Sequence, residues 1–233
     1  MTAARLVADL GAAVVAVSVI LGGCVSGPRR EVWLRDGQPV GTILVSPTPD
    51  GSEYRYFDSA NLLVRTEMRN ASSALVDGDC AVEFSYDAER RVVMESYLDA
   101  SGRPCRSKGG FASLEHRYSV GPGGESVEEN VLLDESGQVV GGRHGWAIAR
   151  FVRARPGAEI DELLLSDERG NPAAAAWGDV IGTARVKYMT LEGVGAVRCA
   201  VYYDASGGIL ARRTLSGVTS HREHSETVSG GGR

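Results

Sequence analysis

The sequence predicts an all-β protein made of antiparallel β-hairpin repeats stacked into an extended or solenoid-like sheet. Three observations lead to this prediction: a four-residue turn motif recurs along the chain, strand-like apolar residues precede each copy, and helix signals are weak. At 233 residues the chain is long enough for one domain or two small ones. Its composition, 43% hydrophobic and 24% charged, excludes collagen, a polytopic membrane protein and a highly charged disordered chain.

The recurring motif is Asp-x-x-Gly, and its aspartates are 35, 33 and 37 residues apart. The four clearest copies are Asp99–Gly102, Asp134–Gly137, Asp167–Gly170 and Asp204–Gly207. Aspartate at the first position of a type I turn accepts backbone hydrogen bonds, and glycine at the fourth takes the left-handed conformation that a hairpin bulge needs. Each repeat is therefore interpreted as a hairpin with its loop at this motif. Earlier, more degenerate turns are expected at Asp36-Gly37, Asp58–Asn61 and Asp87–Arg90.

Two further landmarks keep step with the motif. An aromatic residue lies sixteen residues before three of the aspartates. Between successive aspartates there is also an alanine, which directly follows Phe111, Trp146 or Thr183. The aromatic residues are Tyr118, Phe151 and Tyr188, and the alanines are Ala112, Ala147 and Ala184. A single hairpin cannot bury its apolar face, so neighbouring hairpins must stack or pair into a continuous sheet.

The repeats resemble bacterial YD-type hairpin repeats of the Rhs kind. Residues 97–118, YLDASGRPCRSKGGFASLEHRY, carry the resemblance, which extends over roughly residues 31–215. It implies extended β structure that serves as a shell, a spacer or a binding surface, and this chain is far too short to enclose a toxin. Residues 36–41, DGQPVG, are also similar to the short repeats of antitoxin-like MORN variants, which is a competing name for the same architecture.

The N-terminal segment predicts export and lipid attachment. The uncharged, mostly apolar stretch from Leu10 to Leu21 has twelve residues, the size of a signal-peptide core, whereas a spanning helix needs about twenty. Leu21-Gly22-Gly23-Cys24 resembles the bacterial lipobox, in which an aliphatic residue and two small residues precede a cysteine. The resemblance implies cleavage between Gly23 and Cys24 and attachment of acyl chains (palmitate among them) to Cys24, which would anchor the protein in a membrane.

An uncleaved membrane anchor is the alternative. Arg29 and Arg30 would then flank its C-terminal end and favour the reverse orientation under the positive-inside rule, so the lipoprotein interpretation is preferred. Val25 stands where lipoproteins of the inner membrane usually carry aspartate, which favours the outer membrane and leaves the membrane face open. The predicted organisation is a signal peptide at 1–23, a tether at 24–31, a hairpin-repeat domain at 32–217 and a disordered tail at 218–233.

Three more cysteines, Cys80, Cys105 and Cys199, would meet an oxidising compartment after export. Their odd number leaves one thiol over, and the sequence leaves all three pairings open. The Cys80–Cys105 pairing closes the shorter loop and would stabilise the fold by about 3 kcal/mol.

The sequence indicates no catalytic site, metal site or cofactor. Asp204–Gly207 resembles a serine-nucleophile pattern, but the same four residues recur at 99–102 as a turn. The spacing of His221 and His224 differs from the zinc-binding H-E-x-x-H motif, and His116 is interpreted as a structural strand residue. One aspartate and one serine per turn provide too few oxygens for calcium.

The best candidate for a binding patch is a basic run with aromatic neighbours. Its members are Arg143, Trp146, Arg150, Arg153 and Arg155. Such a run suits anionic lipid headgroups, a glycan or a peptide, but a solvated strand face balanced by the acidic residues at 159–162 is favoured over it.

The expected function is a non-enzymatic binding or scaffolding module of the bacterial cell envelope, held by lipid, with an unknown protein or glycan partner. The formal charge of −5 argues against nucleic acid as a partner. The alternatives are an envelope hydrolase acting on glycan or peptide, and an antitoxin-like protein, which would act in the cytoplasm and so conflicts with the lipobox.

Overall fold

The computed structural model describes residues 27–70, 72, 74–75, 81–191 and 197–215, and the backbone of 4–7 and 14–17. These residues form strands, turns and irregular connections without a helix, which confirms the predicted all-β class. Across the described ranges, no helix is both long and apolar enough to cross a membrane.

The described chain contains seventeen strands. They are β1 (Ala4–Val7), β2 (Val14–Val17), β3 (Arg29–Arg35), β4 (Gln38–Thr48), β5 (Gly51–Asp58), β6 (Leu63–Arg69), β7 (Ala81–Tyr86), β8 (Val92–Leu98), β9 (Ser113–Val120), β10 (Ser126–Leu133), β11 (Ile148–Arg153), β12 (Glu162–Ser166), β13 (Ala175–Trp177), β14 (Val180–Thr183), β15 (Arg185–Leu191), β16 (Val197–Tyr203) and β17 (Ile209–Thr214).

Fifteen of these strands form one antiparallel sheet in which each strand lies beside its neighbour in sequence. The exception is a step from β12 to β15, because β13 and β14 form a separate two-stranded hairpin. Strands β1 and β17 are the two edges of this order, so the sheet is open. The prediction of antiparallel hairpins joined into an extended sheet is confirmed.

Near the N-terminus the sheet reaches into segments with other predicted roles. Strands β1 and β2 lie within the predicted signal peptide, and β3 begins at Arg29, inside the segment 24–31 predicted as a tether. Gly23, Cys24 and the tail at 218–233 lie outside the described residues. Cleavage, lipid attachment and a disordered tail therefore stay predictions.

The main core lies between the C-terminal half of the sheet and one long connection. Alternate strand residues such as Leu163, Leu165 and Val186 are fully buried on one face. They pack against Ala173, Ala175 and other residues of the connection 167–184. Successive side chains of a strand point to opposite sides of the sheet. We call the side that carries Leu163, Leu165 and Val186 the loop face, and the other side the opposite face.

A smaller core lies on the opposite face, toward the N-terminal half. Ile43, Val45 and Tyr56 are buried there, and Trp33 and Tyr54 pack against them. The Trp33 and Tyr56 rings meet edge to face with their centroids 5.4 Å apart. The two cores keep β-branched and aromatic residues on strands, as their β propensity favours.

Candidate functional site

The Asp-x-x-Gly turns have the geometry predicted from the sequence. Asp134 Oδ1 accepts hydrogen bonds from the Ser136 amide (2.8 Å), the Ser136 hydroxyl (2.7 Å) and the Gln138 amide (3.0 Å). Gly137 has a φ of 81° and donates its amide hydrogen to the Asp134 carbonyl at 3.0 Å. The Ser136 hydroxyl and these amides hold the pKa of Asp134 below its ordinary value. The same backbone bonds recur at Asp99, Asp167 and Asp204.

The turns at 58–61 and 87–90 are closed by the same backbone bond to the aspartate carbonyl, and Asp58 and Asp87 each accept the amide four residues ahead. Both turns lie at the other end of the sheet. Successive connections of an antiparallel meander alternate between the two ends. The order of the strands therefore places these two turns beside the turn at 121–124, and the four Asp-x-x-Gly motifs at the opposite end. We call the end with those motifs the loop end. Treating 58–61 and 87–90 as earlier members of one series was wrong.

Three of the motifs open a longer loop. After the turn at 134–137 the chain forms one bridge, between Leu133 and Val139, and then a second turn at 142–145 before β11. Loops with the same bridge follow the motifs at Asp99 and Asp167, whereas the turn at 204–207 joins β16 directly to β17. The predicted hairpins are present, with a connection longer than the motif.

Sequence reasoning missed a further turn of this kind at Asn70. Asn70 Oδ1 accepts hydrogen bonds from the Ser72 amide at 2.9 Å and the Ala74 amide at 3.2 Å. A bridge between Arg69 and Leu75 corresponds to the bridges of the three longer loops. Asparagine has the same Oδ1 acceptor as aspartate, so a search that admitted Asn at the first position would have found it.

The loops contact one another along the loop end. The Arg143 amide donates to the Gly109 carbonyl, and the Ala176 amide donates to the His144 carbonyl, both at 2.8 Å. The alanine landmark of the repeat is buried where each loop returns to the sheet, with 0% exposure at Ala112 and Ala147 and 4% at Ala184. A larger side chain would not fit at these positions without displacing the loop.

The predicted basic patch is spread along β11. Arg143 and Trp146 lie before the strand at the loop end, and Arg155 lies after it at the far end. Arg150 and Arg153 point to opposite faces, because they are three positions apart on one strand and side chains alternate between the faces. Arg153 pairs with Glu128 at 3.1 Å, and Arg150 Nε lies 3.9 Å from Glu129. Arg143 and Arg155 are exposed, and a binding role for the group stays a prediction.

A charged cluster on the loop face is centred on His116. His116 Nε2 lies 3.2 Å from Glu95 Oε1, and Nδ1 lies 3.5 Å from Glu128 Oε1. The Glu128 and Glu95 carboxylates raise the pKa of His116 to about 9. In return, His116 and then Arg153 hold the pKa of Glu128 below its ordinary value. With Arg153 the cluster is neutralised internally, and its four members come from four adjacent strands, β8 to β11, whose pairing the sequence did not reveal.

A second cluster lies on the opposite face around Glu67, which is 2% exposed. Tyr56 donates its hydroxyl hydrogen to Glu67, and Arg69 Nε and Arg65 Nη2 donate at 2.8 and 3.3 Å. Burial opposes the charged form of Glu67, but the bonds from Arg69 and Tyr56 outweigh it and lower the pKa. A buried carboxylate with three donors is a structural arrangement, since breaking such a group leaves an uncompensated charge.

One cavity of about 420 Å³ opens on the loop face between β5–β8 and the loop 99–112. Met68, Val82, Tyr97 and Phe111 supply apolar walls, and the Tyr97 and Phe111 rings meet edge to face at 5.3 Å. Burial and then the neighbouring Glu95 raise the pKa of Tyr97 to about 12, so its hydroxyl is neutral at physiological pH.

Two cysteines lie in the described part of the chain. Cys105 is disulfide-bonded and Cys199 is a free, half-buried thiol. Cys24 and Cys80 lie outside the described residues, and the Cys80–Cys105 pairing stays a prediction. In the same described part, no three histidine, cysteine, aspartate or glutamate side chains are grouped as metal ligands.

No family model, curated protein or solved structure matches the chain. The function therefore has to be inferred from the sheet, its loops and its edges.

Proposed function

We propose that this protein is a lipid-anchored cell-envelope protein that acts as a non-enzymatic binding or scaffolding module. The observation that carries the proposal is the open antiparallel meander, of which thirteen strands (β3–β12 and β15–β17) remain after cleavage before Cys24. Among the described residues its last strand, β17, has no second neighbour. Repeated β structure of this type offers a long surface on which several partner residues are bound at once.

The lipobox resemblance at Leu21–Cys24 supports the anchor. If Cys24 is acylated, four residues separate it from the start of β3 at Arg29, and the five Cα–Cα steps between the two span at most about 17 Å. The sheet would then lie close to the membrane, where its partners are envelope proteins or glycans. Val25 favours the outer membrane as the site of anchoring.

Acyl labelling tests the anchor. Cells that express the wild-type chain are grown with radioactive palmitate beside cells that express Cys24→Ala, with Cys199→Ala as a matched control. We expect label and faster migration of the processed form in the wild type and Cys199→Ala, and loss of both in Cys24→Ala. Label that persists in Cys24→Ala contradicts lipid attachment at this cysteine.

Crosslinking in intact cells tests the binding role. A photoreactive residue is placed at exposed positions of the loop end, such as Ser136. As a control, it is placed at the exposed Pro122 in the turn at the other end of the sheet. We expect one discrete crosslinked species from the loop-end positions and none from Pro122. Labelling of the purified chain by a fluorophosphonate or by an epoxide glycoside would instead favour the envelope hydrolase.

A further inference from the structure

Among the described residues, the last strand, β17, is an edge of the sheet and pairs with β16 alone. The Leu215 amide donates to the Arg198 carbonyl at 2.8 Å, which makes Leu215 and Arg198 a hydrogen-bonded pair. Hydrogen-bonded and non-bonded pairs alternate along an antiparallel ladder. Ala211 and Arg213 therefore direct their backbone groups toward β16, whereas Arg212 and Thr214 direct theirs outward to the open edge.

Apolar side chains are exposed at the first half of this edge. Ile209 is 52% exposed and Leu210 is 42% exposed. Ile181 on β14 is 82% exposed, and a Cβ built on the next residue, Gly182, would lie 3.8 Å from Leu210 Cδ1. An edge with unpaired backbone groups and clustered exposed apolar residues is a template for another strand.

Positive charge is exposed at the second half of the edge. A cross-strand row on the opposite face runs through Glu162, Lys187, Val201 and Arg212. Glu162 is paired with Arg185, and on the loop face Arg213 is paired with Asp179 at 2.7 Å. Among the described residues, Lys187 and Arg212 have no ion-pair partner, so the row ends in uncompensated positive charge although the chain carries −5 overall.

We propose that β17 binds an extended acidic segment of a partner protein by strand addition. The outward groups of Arg212 and Thr214 supply the main-chain hydrogen bonds, and a carboxylate of the added strand lies opposite Arg212. Apolar residues of the same segment cover Ile209 and Leu210. This inference rests on the proposed binding function and names the partner of that surface.

A second copy of the chain fits this edge less well. Pairing of β17 with β17 around a twofold axis places the Arg212 and Arg213 side chains of the two copies near one another, and directly opposed like charges destabilise a sheet. An acidic segment turns the same arginines into an attractive contact.

The test uses the full chain in detergent and a fluorescein-labelled peptide of five Val-Glu repeats, with five Val-Lys repeats as the control peptide. We expect the acidic peptide to bind about tenfold more tightly or better, measured by fluorescence polarisation, because it alone complements Arg212. Arg212→Glu should reverse the preference. Equal binding of both peptides, or no binding of the acidic peptide, overturns the proposal.

The backbone contribution has its own matched pair of variants. Thr214→Pro removes the outward amide of an edge strand, a position where proline is tolerated, and should weaken acidic-peptide binding about fivefold or more, whereas Thr214→Val should leave it unchanged. Unchanged binding by Thr214→Pro, with a melting temperature near that of the wild type, overturns strand addition. If the wild-type chain dimerises and Thr214→Pro abolishes the dimer, a second copy of the chain occupies this edge, and the proposal of an acidic partner is overturned. If peptide binding fails while crosslinks from the loop end persist in cells, this inference is wrong and the proposed binding function stands.

Discussion

Replacement of Gly137 isolates the contribution of the left-handed turn residue to stability. Gly137 has a φ of 81°, and a Cβ built there meets no atom within 4 Å, so a substitution costs backbone strain without a clash. A non-glycine residue in this conformation costs roughly 1–2 kcal/mol. For a chain of this size, each kcal/mol lowers the melting temperature by about 2–4 °C. We therefore expect Gly137→Ala to lower it by about 2–8 °C.

The structure also predicts an order among variants of this turn. Asn61 occupies the corresponding fourth position of its turn with a φ of 60°, so Gly137→Asn should cost less than Gly137→Ala. Gly137→Val should cost more, because a β-branched side chain is strongly disfavoured there. Ser136→Ala removes one exposed hydroxyl bond to Asp134 and should stay within about 0.5 kcal/mol. Thermal unfolding followed by circular dichroism measures the series, and a Gly137→Val effect equal to that of Ser136→Ala would refute the turn reasoning.

Three other perturbations probe the core, the His116 cluster and the tail. Leu163→Ala should cost about 2–5 kcal/mol, because Leu163 is fully buried, and the half-buried Leu164→Ala should cost clearly less; similar values in chemical unfolding would contradict the assignment of faces. The pKa of His116 is raised from 6.5 to about 9, so the contribution of this histidine to the free energy of unfolding should be complete below pH 6.5 and lost as the pH rises through about 9. His116→Gln should remove this pH dependence of stability. The same dependence of stability on pH in both proteins would contradict the ion pairs. Deletion of residues 219–233 should leave the melting temperature unchanged, and a drop of several degrees, or zinc stabilisation of the full chain alone, would show that the predicted disordered tail belongs to the fold.

The fold class was predictable because its main signal is local. An aspartate that accepts amides two and four residues ahead, and a glycine at positive φ, specify a turn without reference to the rest of the chain. At Asp134, Asp167 and Asp204 the sequence motif and the observed bonds agree. The alanines were predictable as landmarks because Ala112, Ala147 and Ala184 recur 22, 20 and 20 residues before the next turn aspartate.

The charged clusters depended on strand register, which the sequence did not provide. His116 seemed isolated because Glu95 and Glu128 are 21 and 12 residues away, and only pairing of β8, β9 and β10 brings them together. The sequence also did not show at which end of the sheet each turn lies. The turns at 58–61 and 87–90 look like Asp-x-x-Gly copies, but they follow strands that run in the other direction. The spread of Arg143 and Arg155 to the two ends of β11 follows from strand length rather than from residue type.

Amide hydrogen exchange along β17 tests most directly whether the sheet is an open module with an available edge. The account predicts slow exchange at Ala211 and Arg213, whose amides pair with β16, and fast exchange at Arg212 and Thr214, whose amides point outward. Fast exchange at all four amides would show that β17 does not belong to the sheet. Slow exchange at all four would show that a further strand already covers this edge, and would contradict the open sheet on which the proposed binding function depends.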